Sequence, residues 1–86
     1  MARYQLKIKK SAEKELAHLP VVTILSIKKD ILTQKENPFP HSCKKLKGFK
    51  NLYRIRSGNY RIIYSVEHSI LIIEILKIAH RKDANS

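Results

Sequence analysis

Cysteine is almost absent from this 86-residue chain: Cys43 stands alone. One thiol cannot close an internal disulfide, so stability has to come from packing, and such usage fits a reducing compartment. There is no CxxC, no HExxH and no paired Cys/His spacing, so no metal or other cofactor is expected. There is also no Gly-rich phosphate loop and no Ser-His-Asp pattern that sequence order can support. No apolar run approaches the roughly 20 residues that cross a bilayer; SILIIEILKI is short and holds Glu74. The opening MARYQLKIKK is charged and alternating, unlike a signal peptide. No repeat, linker or low-complexity tract interrupts the chain. Residues 1–86 are therefore expected to form one small cytoplasmic domain with no membrane attachment.

Acidic residues are scarce too. Seven Asp/Glu face eighteen Lys/Arg, for a net charge of +11 and a pI near 10.1. That excess points to a polyanionic partner. It is uneven: residues 1–43 carry +4 and residues 44–86 carry +7, which makes the second half the expected binding face.

Hydrophobic residues nonetheless make up 43% of the chain, enough for a folded core. Tyr4, Leu6 and Ile8 alternate with polar residues, which predicts a half-buried strand. Ser11 is placed to cap a helix with Glu13 and Glu15 in its first turn. Pro20 either breaks that helix or opens the next. Ile24, Ile27 and Ile31 recur at helical spacing, and Asn37-Pro38-Phe39-Pro40 should end the helix near Glu36. Three strands follow, at about 52–56, 60–66 and 70–78. The order β-α-α-β-β-β predicts an α+β domain: a helical hairpin packed on one face of a mainly antiparallel four-stranded sheet.

Register gives the sheet two different faces. With Gly58-Asn59 as a two-residue turn, Arg56 opposes Arg61, Arg54 opposes Ile63, Ile55 opposes Ile62 and Tyr53 opposes Tyr64. Opposed residues share a face, so Tyr53, Ile55, Ile62 and Tyr64 gather on one side, and Arg54, Arg56, Arg61 and Ser65 on the other. A second turn at His68-Ser69 would pair Ser65 with Ile72 and Ile63 with Glu74. That places Glu74, Leu76, Ile78 and His80 on the arginine face, and Leu71, Ile73 and Ile75 on the helix side. Like charges opposed across a sheet are destabilising, so the arginines imply an anion.

A basic site of this kind can cleave RNA without a metal. The substrate's 2′-hydroxyl attacks the neighbouring phosphorus, while guanidinium forks hold the phosphate and stabilise its charge. Proton transfer would fall to His80 or Glu74; Glu74 could equally serve only to balance charge.

The stretch KKLKGFKNLYRIRSGNYRIIYSVEHSILIIEILKIAHRKD resembles the RelE/ParE superfamily of toxins from type II toxin–antitoxin pairs. The shared parts are K-L-K-G, L-Y-R-I-R, G-N-Y-R-I-I-Y, the apolar last strand and the closing H-R-K-D. The resemblance implies the RelE branch, which cuts messenger RNA in the ribosomal decoding site. It also implies a cognate antitoxin that wraps the toxin, with operator DNA reached only indirectly through their complex. By position, Arg54 and Arg56 match basic strand residues of that active site, Arg61 its phosphate-stabilising arginine and Arg81 the basic residue after the last strand, with His80 beside it. Lys45, Lys47, Lys50 and Lys82 are further RNA-binding candidates. Where many relatives place a base-stacking tyrosine after H-R-K-D, this sequence reads Ala-Asn-Ser. Two alternatives therefore stand: a ParE-like toxin that poisons DNA gyrase, and a catalytically weak RelE homologue that acts mainly through antitoxin binding.

Overall fold

The alternation near the N-terminus does form a strand. In the computed structural model, which describes residues 4–39, 43–80 and 82, β1 spans Gln5–Ile8 and turns Leu6 and Ile8 toward the core. Helix α1 (Lys10–Ala17) starts earlier than Ser11 would allow as a cap. Lys9 holds the cap position, and its carbonyl accepts the Glu13 N–H at 2.9 Å. Pro20 is extended (φ −58°, ψ 148°) and opens α2 (Val21–Thr33), as a residue without a free N–H does well. The helix stops three residues short of Glu36. Residues 34–36 make a turn, and the Asn37 side-chain carbonyl then accepts the Phe39 N–H.

Five strands form the sheet, one more than predicted. The addition is β2 (Lys44–Lys45), only two residues long, lying outside β3 (Leu52–Ser57). With β4 (Tyr60–Glu67) and β5 (Ile72–His80), the spatial order is β1-β5-β4-β3-β2. β1 runs parallel to β5, and the other pairs are antiparallel. The β3/β4 register is the predicted one, residue for residue. Gly58 takes φ 60° and Asn59 stays out of the left-handed region, the pattern of a two-residue turn with glycine first.

The second hairpin differs. Its turn covers residues 68–71, with Leu71 left-handed at φ 53°, so Glu67 pairs with Ile72 and Ser65 with Glu74. The longer turn brings the Leu71 carbonyl to the Gln5 N–H at 2.7 Å, where the parallel pairing of β1 begins. Further along, Tyr64 pairs with Ile75 but Ile63 with Lys77. Leu76 is thus a β-bulge, and every later residue of β5 changes face.

α1 packs over β5 and α2 over β3. Leu16, Ile27, Ile31, Ile55, Ile62, Tyr64, Val66, Ile73, Ile75 and Ile78 make the core between helices and sheet. Three side-chain hydrogen bonds tie the layers together. Ser57 Oγ donates to the Asp30 carboxylate on α2. The Ile78 N–H, on the side of β5 where β1 has already ended, donates to Glu15 Oε1 of α1 at 3.0 Å. The buried Tyr64 hydroxyl donates to the Pro38 carbonyl at 2.7 Å, beneath Tyr53 (ring centroids 5.9 Å apart). Burial, helped by the neighbouring Cys43 thiol, pushes the Tyr64 phenol well above its ordinary range. Gln34, by contrast, is buried with neither atom of its amide group hydrogen-bonded.

Two stability predictions follow from this packing. Tyr64→Phe should cost about 1–2 kcal/mol by leaving the Pro38 carbonyl without its donor, read by urea unfolding at neutral pH. Because the folded phenol titrates above the unfolded one, that contribution is complete below about pH 10 and declines as pH rises further. The gap between wild type and Tyr64→Phe should therefore narrow in alkaline titrations; a constant gap would refute the assignment. Gln34→Met, which keeps length and removes the orphaned amide, should raise stability by about 1 kcal/mol, read as a higher urea midpoint.

Candidate functional site

Alternation along β3 and β4 sends Ile55, Ile62 and Tyr64 to the helices and leaves Arg54, Arg56, Arg61, Ile63 and Ser65 on the open face. The three arginines therefore converge, as the sequence predicts. Arg56 lies directly opposite Arg61, beside the Gly58 turn. Its Nε donates to the Gly58 carbonyl at 3.2 Å, which uses one of five donors and folds the side chain over the turn. Arg54 and Arg61 are half-buried and Arg56 is exposed.

Cross-strand pairing arranges this face in rows. The first holds Ala79, Arg61 and Arg56. The second crosses four strands as Lys77, Ile63, Arg54 and Lys44. The third reads Lys7, Glu74, Ser65 and Leu52. Lys44 and Lys77 escape the sequence reading for different reasons. A two-residue strand is too short to show alternation, and Lys77 reaches this face only through the bulge at Leu76. One signal for the bulge exists: Glu74 and Lys77 are three residues apart, a spacing that puts polar residues on opposite faces of a regular strand.

Several predicted positions move. Glu74 stays on the arginine face but opposes Ser65 and Lys7 rather than Ile63. The longer turn has shifted it one row, about 7 Å, away from the arginine pair. Ile78 passes to the core opposite Ile62, because the bulge reverses the face of all that follows it. His80 changes side for the same reason. It opposes Tyr60, and the two rings meet edge to face at 5.3 Å. Its Nδ1 accepts the Lys82 N–H at 3.2 Å, which leaves Nε2 as the position for the neutral ring's own proton. Lys82 thus lies at the arginine end of the sheet. Lys45 opposes Tyr53, on the helix side. Lys47 and Lys50 sit in the loop before β3, at the far end from Arg56 and Arg61. Arg81 and the Ala-Asn-Ser tail lie outside the described residues. Of the tyrosines, Tyr64 is buried in the core, and Tyr53 and Tyr60 are half-buried against it, Tyr60 beside the turn.

Comparison with known proteins fits this geometry. Residues 6–85 match the family model of the ParE toxin of type II toxin–antitoxin systems. RelE1 of Methanocaldococcus jannaschii is 36% identical over 85 residues, 95% of this chain and 94% of that protein. The archaeal RelE solved in complex with RelB from Pyrococcus horikoshii superimposes with a TM-score of 0.83 at 35% identity, covering 94% of this chain and 97% of that one. An E. coli RelE mutant in the free state gives a TM-score of 0.79 at 25% identity, covering 99% and 90%. The chain belongs to the ParE toxin family, within the RelE/ParE superfamily. It is a RelE-like toxin of a type II toxin–antitoxin system.

Two cations held face to face are a cost the fold carries for its site. Replacing Arg56 by threonine, a good strand former, should stabilise the protein by about 0.5 kcal/mol. The gain should shrink as salt is added, because screening already relieves the repulsion in wild type. Thermal unfolding at low and high KCl checks both points; equal stability at low salt would show that the pair is not strained.

Proposed function

We propose that this toxin is a ribosome-dependent mRNA endonuclease, and that its arginine face is the active surface. The observation that carries the reading is the opposition of Arg56 and Arg61 on an open sheet face, with Arg54 one row behind. Repulsion built into a hairpin is relieved when an anion sits between the guanidinium groups, and a phosphodiester offers the matching pair of oxygens. Ala79, beside Arg61 in the same row, is buried and adds no charge of its own.

The chemistry needs only the substrate, water and these side chains. The ribose 2′-oxygen attacks phosphorus as its proton passes to a phosphate oxygen or to water, the bond to the 5′-oxygen breaks, and that oxygen takes up a proton from water. A 2′,3′-cyclic phosphate and a 5′-hydroxyl result. Arg61 and Arg56 stabilise the charge that grows on the non-bridging oxygens. Arginine stays protonated and is a poor base. His80 faces the helix side, away from the arginine pair, with its Nδ1 accepting from the Lys82 N–H, so it is poorly placed to pass protons on this face. Arg81, next to it in sequence, would complete the cationic rim. Glu74, one row away from the pair, serves better for charge balance than for proton transfer.

The resemblance to a RelE crystallised with RelB supports a cognate antitoxin as partner, with operator DNA engaged only through that complex. A ribosomal substrate places the protein in the cytoplasm; among the described residues no helix is long and apolar enough to cross a membrane. The matching family model bears the ParE name, which keeps a gyrase-poisoning toxin as the second reading.

Mapping mRNA 5′ ends on translating ribosomes separates the two. Wild type should cut within codons at the decoding site, and Arg61→Ala should cut on the order of 100-fold more slowly. Intact mRNA together with trapped gyrase–DNA complexes would favour the second reading. Intact mRNA with neither effect would leave antitoxin binding as the main activity.

A further inference from the structure

We infer that the second row of the open face, Lys77–Ile63–Arg54–Lys44, is a phosphate track that holds the RNA strand next to the reacting nucleotide. The inference rests on the nuclease reading above and extends it to residues outside the arginine pair. Lys44 and Arg54 are directly opposed on β2 and β3, a second like-charge pair on the same face as Arg56 and Arg61. The two pairs lie in adjoining rows, and Lys44 with Arg54 attracts an anion of its own. One phosphate cannot satisfy both, because successive rows lie about 7 Å apart along the strands.

The row's length suits a nucleic-acid backbone. From β5 to β2 it crosses three inter-strand gaps, roughly 14 Å in all, comparable to about four nucleotides of a stacked strand. Lys44 and Lys77 are exposed at its two ends, and flexible ammonium groups there can follow a strand whose sequence varies. Ile63 between them is half-buried and offers an apolar spot to a base or ribose. The third row bounds the track: Lys7 opposes Glu74 there, so that row adds no net charge and the cationic surface is confined to the first two rows.

Lys77 owes its place to the bulge. In a regular β5 it would fall opposite to Glu74's side; the extra residue Leu76 turns it to oppose Ile63. Glu15 of α1 holds the Ile78 N–H just beyond, which anchors the backbone next to Lys77. We assign Lys77 and Lys44 as positioning residues that bind substrate without touching the reacting atoms.

The test uses full-length toxin and a short single-stranded RNA whose riboses are 2′-O-methylated, so that it binds without being cut. Fluorescence anisotropy over a KCl series gives the slope of log affinity against log salt. Lys77→Ala and Lys44→Ala should each weaken binding several-fold and lower the slope by about 0.7, the contribution of one single-strand phosphate contact. The double variant should lose about twice that slope, Lys77→Arg should restore binding, and Lys14→Ala on α1 should change nothing. In ribosomal cleavage the two lysine variants should raise KM with kcat nearly unchanged, the mark of lost uniform binding, whereas Arg61→Ala lowers kcat.

An unchanged slope in the double variant would overturn the track, even if wild type cuts mRNA and Arg61→Ala does not. No binding of the methylated RNA by wild type would overturn it as well. So would lysine variants that keep RNA affinity but lose an acidic antitoxin, since the row would then be a protein-docking surface. The nuclease reading fails separately, if wild type leaves mRNA intact on ribosomes.

Discussion

A two-residue turn at Gly58-Asn59 sets the register of β3 against β4, and both faces of the sheet depend on it. Slipping that hairpin by one residue would bury arginine among the isoleucines and expose Tyr64 and Ile62. The core thus enforces the site. Ile55, Ile62 and Tyr64 are held between helices and sheet, and the residues alternating with them have nowhere to go but the open face. Arg56 and Arg61 are brought together against their own repulsion because hydrophobic burial on the other side of the same backbone outweighs it.

The second constraint is the bulge at Leu76. It gives β5 two characters. Up to Ile75 the strand follows β1 and sends Ile73 and Ile75 inward. Beyond it, the reversed alternation sends Ile78 inward and Lys77 out. The change falls where β1 ends and α1 takes over the edge through Glu15. A strand with a neighbour on each side becomes one with a helix on one flank, and the bulge accommodates the change by adding twist and bend.

How far the sequence could be read follows from these two features. The β3/β4 hairpin was legible because its turn is short, its turn residues are distinctive and its faces are chemically unlike. Convergence of Arg54, Arg56 and Arg61 came with it. The β4/β5 pairing was legible only in parity. A left-handed Leu71 gives no residue-type signal, since leucine is an unusual choice for that conformation, so the sequence alone predicts a two-residue turn where four residues turn and sets Glu74 one row off. The bulge left only the three-residue spacing of Glu74 and Lys77, and missing it put His80 and Ile78 on the wrong side. Lys44 was hidden by the brevity of β2. Pro20 marks the start of α2, because its effect is local and steric, whereas Asn37-Pro38 bounds the helix only from beyond: α2 ends at Thr33, three residues before Glu36.

The parallel pairing of β1 with β5 joins residues near the start of the chain to residues near its end. β5 also sits inside the sheet, between β1 and β4. The first strand therefore has to wait for the last, and long-range closure of this kind slows folding. A nascent chain in which β5 is still enclosed in the exit tunnel lacks an interior strand of its own platform. Emergence of β5, not merely of the basic hairpin, is what brings this surface into being.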